Sequence, residues 1–225
     1  MIDVKKRIVV LLGPPGAGKG TQAAYIKEKY AIPHISTGEI LRENIKNGTT
    51  LGIEADKYMH KGELVPDDLV FEMLKDRVSQ PDCAEGALFD GFPRNQDQAD
   101  MFFDLRYISK QSVVCAILID IPDAEVIKRL SNRRACPKCK SIYNLIHKVP
   151  EKKIGDTYLC DKCSAELIIR DDDKVETIQN RLKVFHNTAG PLITYFEKKN
   201  VLHKVNGVTS PDEIFKQIEG ILDNV

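Results

Sequence analysis

The chain has no net charge, no long apolar run and no low-complexity tract, and each absence removes a class of function. Its 33 Lys and Arg residues are cancelled by 33 Asp and Glu. No global field draws in nucleic acid or an anionic membrane, so any anion site has to be local. Nowhere do ~18 apolar residues follow one another, and Met1-Ile2-Asp3-Val4-Lys5-Lys6-Arg7 lacks the apolar segment of a secretory signal. The expectation is a soluble, cytoplasmic protein without nucleic-acid or membrane partners. Internal repeats are missing too. What is present, 225 residues of which 42% are hydrophobic, suffices for one α/β domain with insertions.

One stretch organises the rest. Ile8-Val9-Val10 reads as a buried strand, Leu11-Leu12-Gly13-Pro14-Pro15-Gly16-Ala17-Gly18-Lys19-Gly20-Thr21 as a glycine-rich turn, and the following residues as a helix start. Glycines let successive N–H groups point inward, the helix N-terminus adds partial positive charge, and Lys19 adds a mobile full one. The general phosphate-loop pattern has Ser or Thr directly after the Lys; here Gly20 intervenes and Thr21 comes second. A strand-to-helix turn that binds nothing would not need so many glycines and prolines around a lysine.

In chain order, Thr21 to Tyr30 reads as helix and Ile32-Pro33-His34-Ile35 as a short strand. Ser36-Thr37-Gly38-Glu39 opens a capped helix. Glycines at 48, 52 and 62 then divide a helical excursion that ends at Val65-Pro66. Pro66 is expected in the first turn of a helix over Asp67–Val78. Ala87–Asp90 is a short strand ending in a carboxylate, which belongs at the ligand edge of a parallel sheet. Asn95 to Ser109 reads as helix, Val113–Ile119 as a strand covered on both faces, and Ile121-Pro122 as the start of a helix to Asn132. After a cysteine-bearing stretch, a helix from Asp173 runs through Gly190-Pro191, where a bend is expected. Val201–Val205 is a last strand, and Ser210-Pro211-Asp212-Glu213 a capping box. Five short apolar strands alternating with helices predict an α/β fold, a parallel five-stranded sheet flanked by helices and interrupted near 36–65 and 133–170.

Cys136, Cys139, Cys160 and Cys163 form two C-x-x-C pairs separated by residues 140–159. Such spacing suits a small hairpin module closing a tetrahedral zinc site, structural because no position is left for water or substrate. Lys138, Lys140 and Lys162 stand where they could offset the thiolate charge. A redox dithiol is the competing reading, but that chemistry uses a single C-x-x-C at a helix start. Cys83 and Cys115 read as buried thiols.

Arginine is the minority cation, yet Arg42, Arg94, Arg129, Arg133, Arg170 and Arg181 sit at the breaks and excursion borders. Singly each reads as a surface charge; together they suit phosphate, which guanidinium groups grip in fixed geometry. His34, His60, His147, His186 and His203 are dispersed, and none neighbours a carboxylate in a catalytic pattern. An alcohol acceptor would need a base, whereas a phosphate acceptor needs only cancellation of repulsion between anions.

Taken jointly, Gly13–Gln22, Ile35–Arg42, Asp90-Gly91-Phe92-Pro93-Arg94, Arg133-Arg134 and Arg170-Asp171-Asp172-Asp173 resemble the adenylate kinase family in its long-lid, zinc-bearing form, over essentially the whole chain. The resemblance implies magnesium-dependent, reversible transfer of the ATP γ-phosphoryl group to AMP, giving two ADP, by a monomer. It implies a P-loop core at 1–35, 66–132 and 171–225, an AMP-binding insertion at 36–65 and a zinc-bearing lid at 133–170. ATP would be held by Gly16, Ala17, Gly18, Lys19, Gly20 and Thr21, with Arg129 at its adenine and Arg133 at its phosphates. AMP would be held by Thr37, Arg42, Gly91, Arg94 and Gln98, with Glu63, Leu64 and Val65 lining its base. Arg170 and Arg181 would converge with Arg133 on the exchanged phosphates, and Asp90 would organise hydrated magnesium. The chain departs from the family pattern at Asn95, where Thr is usual, at Asn132, where Gly is usual, and at Asn206, where Asp is usual. The last bears on strictness for the donor base. The alternatives are a kinase for another nucleoside monophosphate and a zinc-ribbon ATPase that binds nucleic acid.

Overall fold

The computed structural model describes residues 7–104 and 113–225; the first residues and the expected helix end near Ser109 fall outside them. The apolar run becomes β1 (Arg7–Leu12), buried from Ile8 onward. Helix α1 (Lys19–Tyr30) begins two residues before Thr21, because Gly18, with φ of 99°, turns the loop straight into the first helical residue. After β2 (His34–Ser36), the Ser36 hydroxyl accepts the Glu39 N–H at 3.4 Å and caps α2 (Thr37–Lys46). Thr49 caps α3 (Thr50–Met59) in the same way. Pro66 lies just outside α4 (Asp67–Val78) rather than in its first turn, with ψ of 137°. Asp67 and Asp68 occupy that turn instead, facing the positive end of the helix.

Next come β3 (Gly86–Asp90), α5 (Gln96–Asp104), β4 (Val113–Asp120) and α6 (Asp123–Ser131). The excursion contains two small antiparallel pairs, β5 (Arg133–Ala135) with β6 (Ile142–Asn144), and β7 (Lys153–Ile154) with β8 (Thr157–Tyr158). Helix α7 (Val175–Lys198) passes through Pro191 unbroken; the proline removes one N–H but not the helix. β9 (Leu202–Asn206) and α8 (Pro211–Leu222) complete the chain, α8 opening on the expected Ser210–Glu213 capping box.

The expected five-stranded sheet forms in the order β2-β3-β1-β4-β9, with every neighbouring pair parallel. Its continuous apolar strands split by alternation. Ile8, Val10, Leu12, Phe89, Ala116 and Leu118 face α4, α5 and the end of α7 through Leu74, Phe102 and Phe196. Val9, Leu11, Leu88, Ile117 and Ile119 face α1, α6 and α8 through Ile26, Val126 and Ile218. Each Val, Leu, Ile or Phe side chain among them that is withdrawn from water contributes about 1.5–3 kcal/mol before its ordering entropy is subtracted. Covering both faces leaves the C-terminal edge as the place for polar chemistry, and the register sets Asp90 between Leu11 and Ser36 there. Among the described residues no helix is long and apolar enough to cross a membrane.

Candidate active site

At that edge opens a cleft of about 1140 Å³. Its floor is the loop after β1, where Gly13, Gly16 and Gly18 take φ values of 140°, 80° and 99°. Gly16, Gly18, Lys19, Gly20 and Thr21 line it. Ala17 does not: its side chain is fully buried and its N–H donates to Pro14 O at 3.2 Å, so it shapes the loop from below. The Lys19 ammonium folds back across the loop, donating to Gly13 O at 2.7 Å and Pro14 O at 2.9 Å. Burial pulls its pKa down to about 8; Asp90 resists, while Arg94, Arg181 and Arg133 push the same way as burial.

The cations that crowd Lys19 come from separate parts of the chain. Arg42 from α2, Arg94 after β3, Arg133 from β5, Arg170 and Arg181 all line the one cleft. Desolvation inside the cleft and neighbouring guanidinium groups lower Arg94 and Arg170 to about 10 each. They stay charged at neutral pH, but at a cost that an anion would relieve. Carboxylates hold this cluster together. Arg133 Nε donates to Asp173 Oδ2 at 2.6 Å, and Arg181 Nη1 lies 3.1 Å from Asp172 Oδ2 and 2.9 Å from Asp172 O. Asp173 is buried. Burial works to raise the Asp172 carboxyl, but Arg181, Arg133, Arg42 and Arg170 together hold it below the ordinary range. The carboxyl of Asp90 is also held low, with burial opposed by His34, Lys19 and Arg94. A run of aspartates just before a helix was visible in the sequence; its task as an arginine clamp was not.

Gly91 assembles the second half of the site. Its carbonyl accepts from Thr37 Oγ1 at 2.9 Å and from Arg94 Nε at 2.8 Å. With φ of 84°, and with any Cβ landing 2.7 Å from Thr37 Oγ1, this position admits only glycine. Glu63, Leu64, Val65 and Gln98 also line the cleft. No histidine lines it except His147. His34 Nε2 is 3.7 Å from Asp90 Oδ2, too far for a hydrogen bond, and the His186–Asp123 and His60–Asp56 pairs are exposed.

The four cysteines lie apart from this chemistry. Cys136, Cys139, Cys160 and Cys163 place their sulfurs within 4.8 Å of one another. Zinc–thiolate bonds of about 2.3 Å in a tetrahedron put sulfurs about 3.8 Å apart; the Cys136–Cys163 and Cys139–Cys160 pairs stand at 3.4 Å. The donor set and its size therefore fit a zinc ion. The two C-x-x-C turns are alike. Lys140 and Ser164 directly follow them with φ of 61° and 56°, and their N–H groups return to Cys136 O at 3.1 Å and Cys160 O at 2.7 Å. Tyr143, buried beside them, lies 3.4 Å from Cys160 Sγ and accepts the Asp161 N–H at 2.9 Å. Lys140, expected to offset thiolate charge, instead reaches 2.9 Å to Glu43 of α2. A carboxylate is the stronger partner for an exposed ammonium, and the turn conformation at Lys140 leaves its side chain free to find one.

Comparison with known proteins adds a match to the family model described as adenylate kinase over residues 11–201. The chain is 48% identical to the adenylate kinase of Acetivibrio thermocellus over 96% of its own length and 98% of that protein. It is 49% identical to that of Lachnospira eligens, over 95% and 99%, and 44% identical to that of Archaeoglobus fulgidus, over 96% and 98%. The chain belongs to the adenylate kinase family. Its displaced Thr21 is thus the loop form expected of adenylate kinases, and its three asparagine departures each have a local task. Asn95 donates to Asp67 Oδ2 at 3.0 Å. Asn132 closes α6, its Nδ2 donating to Lys128 O at 2.9 Å. Asn206 accepts the Val208 N–H at 3.0 Å, next to Gly207, whose carbonyl takes Arg129 Nη2 at 2.9 Å. Glu125 fixes the other side of that guanidinium at 3.1 Å.

Proposed function

We propose that the chain transfers the γ-phosphoryl group of ATP reversibly to AMP, giving two ADP and keeping adenine nucleotides in balance. The observation that carries this is the gathering of a phosphate loop with Lys19, and Arg42, Arg94, Arg133, Arg170 and Arg181, around one cleft. Both reactants are anions. The acceptor oxygen is already ionised, so the site needs no base; it needs positive charge fixed in place before the transferring group arrives.

In this reading Gly16, Gly18, Gly20, Thr21 and Lys19 hold ATP phosphates, with Ala17 shaping the turn, and Arg129 lies against the donor base. Thr37, Arg42, Gly91, Arg94 and Gln98 hold AMP, with Glu63, Leu64 and Val65 along its base. Arg133, Arg170 and Arg181 hold the phosphoryl group between the two. Asp90, an ionised oxygen donor at the strand edge, suits the hydrated magnesium that adenylate kinases use with ATP; the ion would neutralise charge on the phosphate oxygens. Zinc on Cys136, Cys139, Cys160 and Cys163 would keep the excursion rigid.

Residues 36–65 then form an AMP-binding flap and 133–170 a lid, on a core of 1–35, 66–132 and 171–225. Adenylate kinase lids are a known case of closure that excludes water from a reacting phosphate. The Lys140–Glu43 pair, which joins the 133–170 excursion to α2 of the 36–65 one, supports that assignment here. The working form is a monomer in the cytoplasm. A coupled assay comparing AMP, CMP, UMP and GMP at fixed MgATP tests the proposal: AMP should be strongly preferred. ATP hydrolysis indifferent to any acceptor would refute it.

A further inference from the structure

Asp67 lies in the first turn of α4 and does not line the cleft. Its carboxylate nevertheless takes Gln98 Nε2 at 2.6 Å, while Gln98 Oε1 accepts the Arg94 backbone N–H at 2.8 Å. These partners leave the amide no choice. A carboxylate only accepts and a backbone N–H only donates, so rotating the Gln98 amide by half a turn would set oxygen against carboxylate and NH2 against N–H. Gln98 is 1% exposed, so water cannot rescue that misfit. The Gln98 backbone N–H is also fixed, by Asn95 Oδ1 at 2.7 Å, and Asn95 in turn is held by Asp67.

One lone pair on Oε1 and one hydrogen on Nε2 remain, on a residue that lines the cleft. An acceptor and a donor in that fixed order match a base that offers an amino N–H beside an unprotonated ring nitrogen, as adenine does. A 6-oxo purine offers the reverse pattern, oxygen beside a ring N–H, and would need the amide rotated. Resting on the reading of Gln98 as part of the AMP site, we infer that Asp67 is a positioning residue that locks the Gln98 amide for a 6-amino base and thereby sets the acceptor site against 6-oxo nucleotides. Nothing in the local sequence signals this, since the two residues are separated by 31 positions.

The test compares kcat/KM for AMP and for IMP at saturating MgATP in the wild type, Asp67→Asn and Asp67→Ser. Both replacements can donate as well as accept, so the oxygen-against-carboxylate misfit of the rotated amide disappears and only the Arg94 N–H still opposes rotation, and either can stand in a first helical turn. The AMP-to-IMP ratio should fall at least tenfold in both, with IMP improving in absolute terms and the ATP KM unchanged. Asn95→Ala serves as the control for a merely structural role: it removes the other group bound to Asp67 and the acceptor of the Gln98 backbone N–H, and lowers thermal stability, but it leaves both partners of the Gln98 side-chain amide in place, so the ratio should stay within twofold. Folded Asp67 variants that keep the wild-type ratio overturn the inference alone, as does Asn95→Ala shifting the ratio equally. A wild type that phosphorylates neither acceptor overturns the inference and the kinase reading together.

Discussion

Raising the pH from 7 to 9 should weaken ATP binding about tenfold, and Lys19 sets the size of the effect. Burial and the surrounding arginines bring its pKa to about 8 in the free protein. At pH 7 about nine-tenths of the ammonium is then protonated and at pH 9 about one-tenth. Bound phosphates favour the charged form and raise the pKa again. The sign follows: affinity is complete below the free-protein pKa and is lost as pH rises through it. At pH 8 binding should therefore take up about half a proton, detected by titration calorimetry in two buffers of different ionisation enthalpy. At pH 6 the uptake assigned to Lys19 should vanish, because the lysine is already protonated. In Lys19→Gln both the weakening above pH 7 and the uptake at pH 8 should disappear. Constant wild-type affinity between pH 7 and 9, with no uptake, would refute the assignment of Lys19 as a buried, electrostatically pressed phosphate ligand.

Arg94→Ala should lower turnover with AMP by more than a hundredfold, since losing a fixed cation that places and neutralises the acceptor phosphate costs several kcal/mol in the transition state; steady-state rates near the wild-type value would remove it from the site. Structural zinc contributes about 10–16 kcal/mol in small modules, and the buried apolar centre here is only Cys136, Tyr143, Cys160 and Leu167. Chelation should therefore melt residues 133–170 selectively, seen as amide exchange there with the sheet still protected; identical melting of metal-loaded and verified metal-free protein would contradict this. Ser210→Ala removes both the acceptor for the Glu213 N–H and one partner of the Glu213 carboxylate. A loss of about 1 kcal/mol in chemical denaturation is expected, with kcat unchanged.

What could be read from the chain was whatever a single segment encodes. The loop from Gly13 to Thr21, the caps at Ser36 and Ser210 and the paired cysteines each carry their chemistry within a few residues, so periodicity and spacing find them. The sheet followed from its unbroken apolar strands. The boundary of α1 was missed by two residues because Gly18, not Thr21, takes the turning conformation. Long-range partners left no such mark. Asp67 holding Gln98, Asp173 holding Arg133 and Lys140 reaching Glu43 join residues 31, 40 and 97 positions apart, and an exposed lysine beside cysteines looks the same whichever carboxylate it finds.

The placement of the Asp172 and Asp173 carboxylates explains how so many cations are held around one cleft. Two unit charges about 4 Å apart interact by about 4 kcal/mol at the effective dielectric of a protein surface, so a cluster of guanidinium groups without counter-charge would push its elements apart. Asp173 stands behind Arg133, buried and outside the cleft lining, and bonds the guanidinium through Nε and Nη2. Held from behind, Arg133 keeps the rest of its fork for the cleft. The carboxylate is then nearer to the arginine than to any phosphate in front of it, so it cancels more repulsion among cations than it adds against the substrate. Asp172 differs, because it lines the cleft and pairs with Arg181 there. A phosphate reaching Arg181 has to share it with that carboxylate. The arginine framework is thus held by carboxylates of the chain itself, and a phosphate entering the cleft would compete with Asp172 for Arg181 and with Gly13 O and Pro14 O for Lys19.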